Sequence, residues 1–158
     1  MPDFSQARAP GLLRRLATMT YDLTLLSGVV VIAAALFILP VLMLTGAEQI
    51  GGLARLLLQV YLLSVIVLYY VYFWTGRRQT LGMRTWRTLL LRDDGEPIGV
   101  ADALRRLAFA ALTLAPAGLG LWWALFDRDG LAWYDRLSRT RPVLTVKPGR
   151  ARAAVGGA

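Results

Sequence analysis

Three long stretches without a single charge constrain this chain more than any other feature. Between Asp22 and Glu48 lie 25 uncharged residues, between Arg55 and Arg77 another 21, and between Arg106 and Asp127 another 20. A hydrocarbon core of about 30 Å needs roughly 20 helical residues at ~1.5 Å each, so every run is long enough to span a bilayer. The chain is 56% hydrophobic over 158 residues. A soluble domain of that size would scatter its charges along the sequence instead of segregating them. The first run, with its apolar stretch from Leu23 to Leu44, exceeds the roughly 7–15 residues of a signal-peptide core and follows 22 other residues. It reads as a retained anchor.

The charges fall between the runs, and they are mostly basic: 18 Lys and Arg against 10 Asp and Glu, a net +8. They form three clusters, Arg8 to Arg15, Arg77 to Arg106 and Arg128 to Arg152, each abutting an apolar run. That is the pattern of the positive-inside rule, with anionic lipid headgroups as counter-ions, so no nucleic-acid partner is expected. The expected location is a bacterial inner membrane, crossed more than once. With no cysteine and no histidine, disulfides are impossible and transition metals lose their two favourite ligands. Gly76-Arg-Arg-Gln-Thr-Leu-Gly82 lacks the Lys and the spacing of a phosphate loop, and Lys147 is the only lysine. No enzyme, cofactor or metal site is expected.

The connection from Thr45 to Arg55 carries one basic residue, at its end, and should face away from the cytoplasm. The N-terminal segment and the Arg77 to Arg106 region should then be cytoplasmic. A full third span over Leu107 to Phe126 would export a tail with seven basic residues, against the charge rule. Ala115-Pro-Ala-Gly-Leu-Gly120, in the middle of that run, suits the apex of a re-entrant hairpin with legs of about nine residues. A kinked but complete span is the other reading, since Pro and Gly are common in membrane helices. Charge bias favours the cytoplasmic tail. The fold class is therefore an all-α membrane protein: two transmembrane helices, a third apolar helical segment that re-enters or kinks, and a small cytoplasmic β-hairpin-like segment.

That last segment comes from Thr85 to Arg92, rich in strand formers, followed by the turn signal Asp93-Asp94-Gly95. A helix should begin between Ile98 and Arg106, with Asp102 near its start. Pro142 to Val146 reads as a second strand able to pair with the first. Residues 1–11 are expected as a flexible tail, 12–147 as the membrane domain and 148–158 as a disordered tail.

Three separated patches resemble the RDD family of small bacterial membrane proteins, named for one arginine and two aspartates. Arg15-Leu-Ala-Thr-Met-Thr-Tyr-Asp22 is similar to its opening Arg and Asp at the start of the first helix. Phe73-Trp74 through Gln79-Thr-Leu-Gly-Met-Arg84 resembles the end of its second helix, and Trp133-Tyr-Asp-Arg-Leu-Ser-Arg-Thr140 its closing pattern. Two positions depart: Tyr134 stands where the family often has histidine, and Arg139 where it has glycine. The resemblance implies candidate functional residues Arg15, Asp22 and Asp135, supported by Thr18, Gln79, Gly82, Arg136 and Thr140. It also implies transport of a small ion or solute, with cation–proton exchange among the activities suggested for the family.

Arg15 and Asp22 are seven residues apart, two helical turns, hence on one face and ~10 Å apart along the axis. A carboxylate inside the bilayer costs on the order of 2.5–3.5 kcal/mol at the centre, so Asp22 should face protein or water. It is either a cation or proton site, or a polar clamp that fixes helix packing; the clamp is favoured because a lone carboxylate makes a poor ion cage. Thr18, one turn back, is the nearest hydroxyl on its face. Asp135 shares a side with Arg15 if the tail is cytoplasmic and can pair with it. Trp74, Trp86, Trp122, Trp123 and Trp133 suit interfacial anchoring. Two functions of different class remain: a transport component, which needs a homo-oligomer because two spans and a hairpin cannot enclose a pathway, or a scaffold subunit of a larger complex.

Overall fold

The computed structural model describes residues 9–46, 50–115 and 118–145. Most of the tail segments expected at 1–11 and 148–158 lies outside the described residues, as do the expected apex residues Pro116 and Ala117 and the strand end Val146. Helix α1 runs Leu12–Thr45 and helix α2 Gly52–Trp74; both are long and apolar enough to cross a membrane. At ~1.5 Å per residue the 34 residues of α1 extend about 51 Å, well beyond a ~30 Å hydrocarbon core. Its N-terminal turns must therefore be covered by something else. They are covered by protein: Arg15 and Asp22 are buried there, whereas α2 buries none of its residues. The two helices pack on each other, with Phe37 stacked on Tyr61 at 5.6 Å between ring centroids.

The polar segment folds as a small cap at one end of these helices. Helix α3 (Leu81–Thr85), which Thr80 caps by accepting from the Met83 N–H at 3.1 Å, takes Thr85, the first residue of the expected strand, and Trp86 and Arg87 form the turn after it. Strand β1 is thereby shortened to Thr88–Arg92. The Asp93-Asp94-Gly95 turn forms, with Gly95 at φ +84° and its N–H bonded to Arg92 O. The hairpin beyond it does not extend. Only Leu91 and Pro97 bridge, since proline has no N–H to offer the ladder and the chain turns into α4 (Val100–Leu114). Instead β1 pairs antiparallel with β2 (Thr140–Leu144), Thr88 opposite Leu144 and Arg92 opposite Thr140. The expected second strand thus starts two residues early. Leu91 and Val143, which cluster with Leu89, the residue opposite Val143, are fully buried.

Helix α4 begins where Asp102 accepts the Gly99 N–H, and it includes Arg105 and Arg106 before the third apolar run. The run is then bent by 103° into α5 (Leu119–Trp122) and a 3₁₀ turn (Trp123–Leu125). It is not one straight helix. The return leg lies directly on the outgoing one: a Cβ at Gly120 would sit 2.5 Å from Thr113 Cβ, closer than any side chain fits. Helix α6 (Trp133–Ser138) packs against α4 and feeds β2.

Candidate functional site

The polar groups of the membrane-facing core gather around the N-terminal turns of α1. The first set is centred on Asp22. Its Oδ2 accepts from the Thr80 hydroxyl at 2.6 Å and its Oδ1 from the Gly82 N–H at 3.0 Å. Both donors belong to the first turn of α3, and the Thr80 hydroxyl passes the bond on by accepting from Met83. A Cβ on Gly82 would meet Thr18 O at 2.5 Å and Asp22 Oδ1 at 2.7 Å, so only glycine lets α3 lie against α1. Thr18 does not bond Asp22; its hydroxyl donates back to Arg14 O, as helical threonines commonly do. The place expected for Thr18 belongs to Thr80.

The second set is centred on Asp135, which is fully buried. Arg15 Nη1 donates to its Oδ2 at 2.5 Å, and the Ala132 N–H donates to the same oxygen at 2.9 Å. Arg106 Nη2 lies 2.6 Å from Oδ1, an ion contact too bent to count as a hydrogen bond. Arg15 also donates to Pro10 O and Gly130 O, and Arg106 to Thr140 Oγ1, which is in turn 2.8 Å from Ser138 Oγ. Two guanidiniums thus share one carboxylate in a dry setting. Removing one partner from such a group leaves an uncompensated charge and is costly, whatever the net stabilisation of the intact group.

Tyr134, where the resemblance implies a histidine, is buried beside Asp135 with the Arg106 guanidinium 5.0 Å from its ring centre. Burial, reinforced by the Asp135 charge, pushes its phenol up to about 12, so it holds its proton at neutral pH. It cannot replace a titrating histidine. The loop before α6 is tied by Asp127, which accepts from the Asp129 and Leu131 N–H groups and from Arg136. Burial alone would raise the Asp127 carboxyl, but those donors outweigh it and hold it below its ordinary value. This loop presents Gly130 O to Arg15.

Arg15, Asp22 and Asp135 therefore do not meet at a point. Arg15 and Asp135 join; Asp22 stands apart, and among the described residues it has no ion pair. Of the supporting residues, Thr140 lies in the Asp135 group and Gly82 against Asp22. Gln79 donates to Thr88 O at 2.6 Å, tying the α3 turn to β1, and Arg136 faces outward to Asp127 and Asp129. Arg106 and Thr80 are members that sequence reasoning missed. Nothing distinguishes Arg106 from its neighbour Arg105, which pairs with Asp102 on the surface, except the helical phase fixed by packing. Trp74, read as an interfacial anchor, lies under Arg106, its ring centre 5.3 Å from the guanidinium carbon.

Between the two polar sets lies a cavity of about 320 Å³, bordered by Arg15 and Asp22 from α1, Tyr70 and Trp74 from α2, Arg106 from α4 and Tyr134 from α6. The rest of its wall is mostly apolar. Among the described residues no three acidic side chains come together as a metal site. The RDD family model matches residues 9–139, most of the chain. No curated protein and no solved structure matches it.

Proposed function

This chain belongs to the RDD family, and on that premise we propose that it is a non-catalytic, multi-pass protein of the bacterial inner membrane that binds a small solute in the cavity between α1, α2 and α4 as a step in its transport. The observation that carries the reading is the cavity itself. It is a half-open space at the end of the spanning helices, bordered by buried charges of both signs, and intramembrane charges that face a cavity characteristically mark a substrate pathway. Bare cation exchange at Asp22 fits less well. The two guanidiniums on the same cavity repel a cation that brings no anion with it.

The N-terminal segment, the region from Gly76 to Arg106 and the tail share the cytoplasmic side in this reading. The Arg15–Asp135 pair and the β1–β2 ladder support it by joining all three segments at one end of the helices, and so do the basic clusters. The bent α4–α5 pair then re-enters the bilayer, anionic headgroups meet the basic face, and copies of the chain complete the pathway. Flux through purified protein in proteoliposomes tests the function. Uptake of Na⁺, K⁺, protons or small zwitterions above empty-vesicle controls is expected; no flux of any of them removes the transport reading. The scaffold reading draws on one observation, an α2 with no buried residue and hence a whole face open to a partner helix.

A further inference from the structure

The charges around the cavity do not balance locally. Arg15, Arg106 and Asp135 together carry +1, while Asp22 carries −1 and has no ion pair among the described residues. Arg15, Arg106 and Asp22 all border the same cavity. Charges taken out of water without a close counter-charge are unfavourable, so each end calls for a partner of opposite sign. A single ion cannot serve both, because Arg15 and Asp22 stand two helical turns apart, ~10 Å along α1. A lone anion would satisfy the guanidinium end and be repelled by Asp22; a lone cation would do the reverse.

From this we propose that the cavity takes a zwitterionic amphiphile: an ammonium group at Asp22, a phosphate-type anion at the guanidinium end, and an apolar portion along α4. The inference rests on reading the cavity as a solute site. Both ends have bonding capacity left. Each Asp22 oxygen accepts one bond and has a second lone pair, and Arg15, with five N–H donors, gives three to Pro10, Asp135 and Gly130 and also reaches the Tyr134 hydroxyl, so its fork is not exhausted. The Arg106 guanidinium, against the rings of Trp74 and Tyr134, is held in place by Thr140 and Asp135 and keeps N–H donors beyond those two contacts for a phosphate oxygen. The apolar wall is one stripe of α4: Leu107, Ala110, Ala111 and Leu114 recur at i, i+3, i+4 and i+7, with the two alanines opening the space. A volume of about 320 Å³ suits a headgroup and a short length of chain. An aminophospholipid of the bilayer and a free zwitterion share this chemistry.

The test measures binding and thermal shift of the purified chain in a non-ionic detergent with four probes. Lysophosphatidylethanolamine carries both charges and N–H donors. Lysophosphatidylcholine keeps the charges but has no N–H, lysophosphatidylglycerol lacks the cation, and free phosphoethanolamine lacks the tail. The ethanolamine lysolipid should bind about tenfold tighter than the choline and glycerol ones, the loss expected for one charge-assisted hydrogen bond. Asp22→Asn should erase that preference, and Arg106→Gln should weaken all three lysolipids. Ala111→Leu fills the cavity without touching a charge and should abolish binding, which keeps the test decisive if a charge variant fails to fold. Free phosphoethanolamine binding as well as the lysolipid would identify a soluble zwitterion as the source; lysolipid binding alone would identify a membrane lipid. Equal affinity for the ethanolamine and glycerol heads, or binding unaffected by Ala111→Leu, would overturn the proposal. Ion flux in vesicles with no such preference overturns this inference and leaves transport standing, whereas zwitterion binding without flux does the opposite.

Discussion

The Gly82 amide donates to Asp22 Oδ1 at 3.0 Å across 60 residues of sequence, and at that approach residue 82 has no room for a side chain. Gly82→Ala would force α3 away from α1 and strip Asp22 of a donor. We expect a loss of roughly 1–3 kcal/mol, in line with other forced overpacking. Thr80→Val, which leaves Asp22 Oδ2 without its donor, should cost about 1–3 kcal/mol. Thermal unfolding in mild detergent reads both. A Gly82→Ala protein that melts with the wild type would mean that α3 does not dock on α1.

Arg15 and Asp135 are coupled through the shared buried group. Arg15→Ala and Asp135→Ala should each cost roughly 3–5 kcal/mol, the alanine at 135 more, because it leaves two guanidiniums without their common counter-charge. The double variant should lose less than the sum by about 0.5–3 kcal/mol. Strict additivity in a double-mutant cycle would contradict the contact.

Arg139 ends α6 with φ +53°, the left-handed region that glycine enters without strain. Arg139→Gly should therefore stabilise the fold by up to about 1 kcal/mol, seen as a higher melting temperature. A lower one would mean that the arginine side chain has a contact outweighing its backbone strain.

Asp127 gives the fold an acid sensitivity of defined sign. Its carboxyl is held below the ordinary value, so its contribution is complete above about pH 4, the unfolded value, and fades as pH falls through the lower folded one. Melting temperature should drop below about pH 4 more steeply in the wild type than in Asp127→Asn, which should already be less stable at neutral pH. Parallel curves would remove Asp127 as the cause.

Sidedness can be read with single cysteines, since the chain has none. Asp94→Cys and Arg128→Cys lie on exposed positions before and after the bent α4–α5 pair. Both should resist an impermeant thiol reagent in intact cells and react once the cells are opened. Labelling of residue 128 alone in intact cells would make the third run a complete crossing.

The two spanning helices were legible from sequence because the constraint on them is one-dimensional. A ~30 Å apolar slab demands about 20 uncharged residues in a row, and no tertiary contact is needed to count them. The spaced patches around Arg15, Asp22 and Asp135 carried the family in the same way, and the turn at Gly95 and the start of α4 at Asp102 were legible as local signals. What the sequence left undecided are choices among equal partners. The strand expected from Thr85 starts only at Thr88, because Thr80 and Asp22 bind the first N–H groups of Leu81 to Thr85 and make that segment a helix. Arg105 and Arg106 are indistinguishable as letters, and only the packing of α4 turns one to solvent and the other to Asp135. The bend after Leu114, the pairing of β1 with a strand some fifty residues on and the cavity between the two polar sets depend likewise on which surfaces meet. Burial of a charge is decided by all its neighbours at once, and those neighbours come from four elements that only the folded chain brings together.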